Sequence, residues 1–89
     1  MMKVIFSDHA KLEMERRQID KSFAESVVND PQQEISSGKD RIILQSKYLN
    51  RREHKELLLR IIGRRIESGF FVLTAYKTSK IAKYWKKED

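Results

Sequence analysis

The chain reads as a single α+β domain over residues 1–89, with two helices ahead of four strands. Three observations predict that order. Apolar residues up to Pro31 recur at helical spacing, those from Glu34 onward alternate or run together as strands do, and one Pro with three Gly leaves little chain for long loops. A chain of 89 residues has room for one core and no second one.

Val4-Ile5-Phe6 forms a short apolar opening. Ser7-Asp8 then supplies an N-cap, because a side-chain oxygen there accepts from the unpaired N–H groups of a first turn, and Ala10, Leu12 and Met14 carry a helix to Arg17. Asp20 caps a second helix, in which Ile19, Phe23, Val27 and Val28 form an apolar stripe until Asn29-Asp30-Pro31 stops it. The two helices form a hairpin. From Glu34 the period changes: Ile35, a turn at Ser36–Asp40, and then Ile42, Leu44 and Tyr48 among Arg41, Gln45 and Lys47 read as a β-hairpin with one wet face. Leu57-Leu58-Leu59-Arg60-Ile61-Ile62 is too uniformly apolar for an edge and reads as the central strand. Glu67-Ser68-Gly69 turns the chain into a partner strand from Phe70 to Lys77. The register here decides one contact. A three-residue turn sets Arg60 across from Tyr76 and Ile62 across from Thr74, whereas a two-residue turn sets Arg60 across from Ala75. Ile81, Tyr84 and Trp85 suit either a short amphipathic helix or a tail strand.

Charge is divided unevenly along the chain. Residues 1–40 hold six Lys and Arg against eight Asp and Glu, while residues 41–89 hold thirteen against five. The basic half is also the strand-rich half, so the positive field falls on the sheet and its rim, where a polyanion such as RNA would meet it. Absence of cysteine excludes disulfides, thiolate nucleophiles and Cys-ligated zinc, and suits a reducing cytoplasm. Met1 to Ile5 falls far short of a signal sequence, and no apolar run approaches a membrane span, so neither secretion nor a membrane is expected. Paired carboxylates, a Ser-His-Asp set, a phosphate loop and a metal-ligand cluster are all unreadable, and no cofactor or metal is expected.

Three segments together resemble a known family: Ser7-Asp8-His9-Ala10 opening the first helix, Arg17-Gln18-Ile19 joining it to the second, and Val72-Leu73-Thr74-Ala75-Tyr76 in the last long strand. They are similar to the His-Ala, Arg-Gly-Ile and Thr-x-Tyr pattern of a small uncharacterised family, a domain of unknown function, within the RelE-like toxin superfamily. The resemblance covers nearly the whole chain, with Gln18 standing where the family has Gly. It implies a two-helix hairpin packed on a twisted four-stranded antiparallel sheet and, in many members, metal-independent RNA cleavage. The partners it implies are RNA, ribosome-bound mRNA being one form, and a small acidic antitoxin protein.

Metal-free RNA cleavage needs a base for the 2′-hydroxyl, an acid for the 5′-oxygen and cations to hold the charged phosphate. His9 is the candidate base or phosphate ligand, since imidazole exchanges protons near neutral pH; the alternative is that it simply packs or caps. Arg60 is the one charge in the central apolar run and cannot shed its proton to ease burial. It must face water, a carboxylate or a ligand. With Arg17 it is the candidate for stabilising the phosphorane-like charge, and Tyr76 the candidate to orient or donate a proton; the alternative is a structural Arg bridged to a carboxylate. Arg51, Arg52, His54 and Lys55 in the polar link between strands, with Lys77, Lys80 and Lys83 beside Tyr84 and Trp85, form the expected RNA-binding set. The expected function is thus a RelE-like toxin that binds and cleaves RNA. The alternative is a non-catalytic RNA-binding module, or a protein-interaction domain, of the same fold.

Overall fold

The computed structural model describes residues 2–87. In chain order the elements are β1 (Lys3–Phe6), α1 (Asp8–Arg16), α2 (Lys21–Asn29), β2 (Gln33–Ser36), β3 (Ile42–Asn50), β4 (Lys55–Ile66), β5 (Gly69–Thr78) and α3 (Ile81–Tyr84). The class is α+β as expected, but the four-stranded antiparallel sheet is not what forms. Val4-Ile5-Phe6 is part of a fifth strand, and it lies parallel to β5 with Val4 opposite Phe70 and Phe6 opposite Val72. The sheet is therefore mixed, in the order β1-β5-β4-β3-β2. The N-terminal helix hairpin is also absent. Both helices lie between β1 and β2 in the chain, and each packs on the sheet, α1 over β5 and α2 over β3 and β4. The reason is where apolar surface is available: Ala10, Met14, Ala24, Val27 and Val28 bury against Leu44, Leu59, Ile61, Phe70, Val72 and Ala75 of the sheet.

The helix ends follow from local chemistry. Ser7 caps α1, its Oγ accepting from the Ala10 N–H at 2.9 Å. At the other end Gln18 adopts φ 56°, the Ile19 N–H donates to the Met14 carbonyl at 2.8 Å and the Gln18 N–H to the Glu15 carbonyl at 3.2 Å. This is a Schellman closure with its usual apolar contact, Ile19 and Met14 both being in the core. A left-handed residue other than Gly costs roughly 1–2 kcal/mol, so Gln18 is held in this conformation at some expense of stability. Asp20 occupies the N-cap position of α2, though its carboxylate accepts from the Ser22 hydroxyl at 2.6 Å rather than from the backbone.

The run Leu57–Ile62 lies in β4, the middle strand of the five. Its pairing with β5 begins at Ile66 opposite Gly69, a two-residue turn, yet Arg60 still faces Tyr76 and Ile62 faces Thr74. The register shifts between Ile62 and Gly63, where Leu73 is an extra residue on β5. Such a bulge also reverses which face the following residues take. Phe70 and Val72 point to the helices ahead of it and Ala75 after it. Ser7 pins the bulge: its N–H donates to the Val72 carbonyl at 2.9 Å and its hydroxyl to the Leu73 carbonyl at 3.0 Å.

Gly63 faces this bulge with no room for a side chain. A Cβ there would meet the Phe71 carbonyl and lie 2.6 Å from the Phe70 ring. Gly63→Ala should therefore destabilise the fold by about 1–3 kcal/mol through overpacking, measured as a lowered urea midpoint; an unchanged midpoint would show that the bulge can yield.

Candidate functional site

On the face of the sheet away from α1 and α2, one residue from each of four strands falls in a row. Gln33 pairs with Gln45, Gln45 with Arg60, and Arg60 with Tyr76. The side chains join into a chain of hydrogen bonds. Gln45 Nε2 donates to Gln33 Oε1 at 2.7 Å, Arg60 Nε to Gln45 Oε1 at 2.9 Å, and Arg60 Nη1 to the Tyr76 hydroxyl at 2.5 Å. The C-terminal segment lies across this row. Gln33 donates to the Lys86 carbonyl at 2.6 Å and accepts from the Lys86 N–H at 3.1 Å, and Gln45 donates to the Tyr84 carbonyl at 3.2 Å. The Tyr84 ring sits 4.2 Å from the Arg60 guanidinium, and Lys47 Nζ lies 4.0 Å from the Trp85 ring.

Arg60 is 8% exposed and, among the described residues, no carboxylate pairs with it. Neutral acceptors and a tyrosine face therefore offset the cost of burying its charge; a desolvated cation–π contact contributes about 2 kcal/mol. In this arrangement Tyr84 lies over the guanidinium, whose Nε and Nη1 are already committed to Gln45 and Tyr76. The two glutamines were not legible as functional from sequence, because alternation with Leu44 made Gln45 look like a wet-face residue. The available signal was Gln45 standing across the hairpin from the one charge in an apolar strand.

The opposite face carries a groove at the end of the sheet where the β3–β4 arm projects past the helices. Its wall is the α1–α2 link at Gln18, Ile19 and Asp20, its floor is Leu59 and Lys77, and its far side is Tyr48 and Asn50 with Arg52 at the rim. Two adjoining clefts of about 490 and 380 Å³ share Gln18, Asn50 and Lys77. Phe23 and Tyr48 meet edge to face there with centroids 4.9 Å apart. The arm tip is a four-residue loop, Arg51 to His54, closed by Asn50: its Oδ1 accepts from the Glu53 N–H at 3.0 Å and its Nδ2 donates to Glu53 Oε2 at 3.1 Å. His54 takes φ 53° to complete the turn, a conformation His adopts more readily than most residues.

The expected catalytic group is divided by the sheet. Arg60 and Tyr76 meet on the tail-covered face, while His9 lies exposed on α1, which packs on the other. Arg17 is also on the helix side, where its Nη1 donates to the Ala75 carbonyl at 3.0 Å and its Nη2 lies 3.3 Å from Glu13. The expected RNA-binding residues are better gathered. Arg51, Arg52 and His54 lie in the arm tip with Lys55 next to it at the start of β4, Lys77 lies in the same cleft as Arg52, and exposed Lys80 follows two residues after β5. Lys83 stands apart on α3, its Nζ 5.2 Å from the Tyr84 ring. Among the described residues no cluster of His, Asp and Glu gathers as a metal site, and no helix is long and apolar enough to cross a membrane.

Family models, curated proteins and solved structures offer no match to this chain. Its site is therefore read from geometry.

Two measurements check that geometry. Gln33→Leu removes the paired bond to Lys86, so emission from Trp85, the chain's one tryptophan, should shift to longer wavelength while far-ultraviolet dichroism stays unchanged. Unshifted emission would mean the tail is held by something other than the glutamine. Burial raises the Tyr48 pKa above its ordinary 10.0, the Glu53 charge adds to the rise, and a hydrogen bond with Asn50 opposes it. A raised pKa means the fold favours the neutral phenol. That contribution is whole below pH 10.0 and is lost as pH climbs through the raised value. Tyr48→Phe should thus lose less stability than wild type in strong alkali, and parallel stability curves would remove the assignment.

Proposed function

We propose that this protein is a cytoplasmic RNA-binding module that grips the phosphodiester backbone with the arm end of its sheet. The supporting observation is that Arg52 and Lys77 line one cleft beside the β3–β4 turn, where Arg51 and Lys55 also stand, with no carboxylate paired to Arg51, Arg52 or Lys77 among the described residues. Lys55 alone of the four has an ion-pair contact, 3.6 Å from Glu53 at a half-exposed position where such a pair contributes little. Cations left unneutralised at a concave edge raise the local potential and draw a polyanion from solution. Phosphate contacts of this kind hold any sequence and weaken steeply with salt.

A second reading is a RelE-like ribonuclease toxin held by a small acidic antitoxin, and the Arg60–Tyr76 hydrogen bond favours it. That reading needs Tyr84 to lift from the guanidinium and a base other than His9, which lies across the sheet.

One experiment addresses both. Labelled RNA titrated with wild type should bind and stay intact on a gel. Arg52→Gln with Lys77→Gln together should bind more weakly, with a salt slope shallower by about 0.7 for each phosphate that the two cations neutralise in wild type. Equal affinity in the double variant would refute the surface. Cleavage by wild type that disappears in Arg60→Ala with Tyr76→Phe would replace the module reading with the nuclease.

A further inference from the structure

The groove between the α1–α2 link and the β3–β4 arm has a polarity gradient that a bare phosphate grip does not need. One end is an aromatic wall, Phe23 and Tyr48; the other holds Arg52, and Lys77 lines both. Between them stands Gln18, exposed, its side-chain amide making no hydrogen bond among the described residues. Two carboxylates also line the groove, but both are engaged. Asp20 accepts from the Ser22 hydroxyl at 2.6 Å, and Glu53 is held by Asn50 at 3.1 Å and by Lys55 at 3.6 Å. Among the described residues no such partner reaches Lys77 or Arg52.

We infer that this groove is a site for one unpaired nucleotide, its base against Phe23 and Tyr48, its edge at the Gln18 amide and its phosphate between Lys77 and Arg52. The inference rests on the RNA-binding reading and adds the ligand class, a nucleotide free of base pairing. A nucleotide presents a flat apolar face, an edge of donors and acceptors, and a charged phosphate in the same order as the groove's lining. The clefts, about 490 and 380 Å³, lie in the roughly 300–1,000 Å³ range of small-ligand sites. A base stacked inside a duplex cannot enter such a recess, whereas one in a single strand can be splayed into it. The same chemistry comes from two sources, a residue of an RNA strand or a free mononucleotide.

The test compares a labelled single-stranded hexaribonucleotide, a blunt duplex of the same sequence, and AMP, with wild type and Phe23→Leu. Single strand should bind more tightly than duplex, and Phe23→Leu should weaken the single strand about fivefold or more while leaving the duplex unchanged. Amide NMR spectra of wild type give a readout that needs no variant: Gln18, Asn50 and Lys77 resonances should shift on adding ligand. Shifts with AMP assign the site to free nucleotides, and shifts with the hexamer but not AMP assign it to a strand. Equal single-strand and duplex affinity, with Phe23→Leu unaltered, overturns the groove and leaves the backbone-binding module standing. Failure of every RNA to bind removes the module reading as well. Displacement of the hexamer by polyglutamate at matched charge, without the aromatic dependence, also overturns the nucleotide site.

Discussion

A single extra residue, Leu73, sets the geometry of both faces of the sheet. The β4–β5 hairpin starts from a two-residue turn, and carried forward unbroken that register would place Ala75 beside Arg60 and point Tyr76 toward the helices. The bulge advances β5 by one position. Tyr76 then joins the Gln33–Gln45–Arg60 row, and Lys77, opposite Leu59, drops into the groove on the other side. Because Ser7 holds the Val72 and Leu73 carbonyls while capping α1, the bulge also fixes where the first helix begins and where β1 ends.

The two faces handle charge differently. On the tail-covered face a buried guanidinium is neutralised by no acid among the described residues and is instead wrapped in amides, a phenol and an aromatic ring. That wrapping fixes Arg60 in place and makes it a structural centre for the C-terminal segment. On the arm side Arg52 and Lys77 line one cleft without a paired carboxylate among the described residues, which suits a ligand that brings its own negative charge. Charge is thus left open at the arm, while the more conspicuous arginine is closed off.

Much of this was legible in the residues. Ser7 as a cap, the stop at Pro31, the turn beyond Ser36 and the central position of Leu57–Ile62 all rest on local propensities that the packing reinforces. The Arg60–Tyr76 contact was legible as one of two alternatives, yet it arises by a route neither contained: a two-residue turn followed by a bulge, not a three-residue turn. Bulges leave little trace in a period-two pattern of mixed residues such as Leu73-Thr74. The strand at Lys3–Phe6 was not legible because parallel pairing with β5 joins segments 66 residues apart, and nothing local in a four-residue run announces such a partner. Of the site, the cationic arm could be read as a loop rich in Arg and Lys, but the groove could not. It is made by the Schellman turn at Gln18 facing the arm across Lys77, a juxtaposition of three separate segments.

β1 pairs with β5 only as far as Val72, so the outer edge of β5 runs on without a neighbouring strand among the described residues. An open edge of that kind is a template on which another chain can add a strand and begin to aggregate. Here two of its acceptors are already occupied, the Leu73 carbonyl by the Ser7 hydroxyl and the Ala75 carbonyl by the Arg17 guanidinium. Arg17 also brings a bulky permanent charge to the rim. The helix that packs on the sheet thereby closes the sheet's margin at both its ends, and strand-by-strand growth into fibrils is discouraged at the place where the fold itself leaves a strand unpaired.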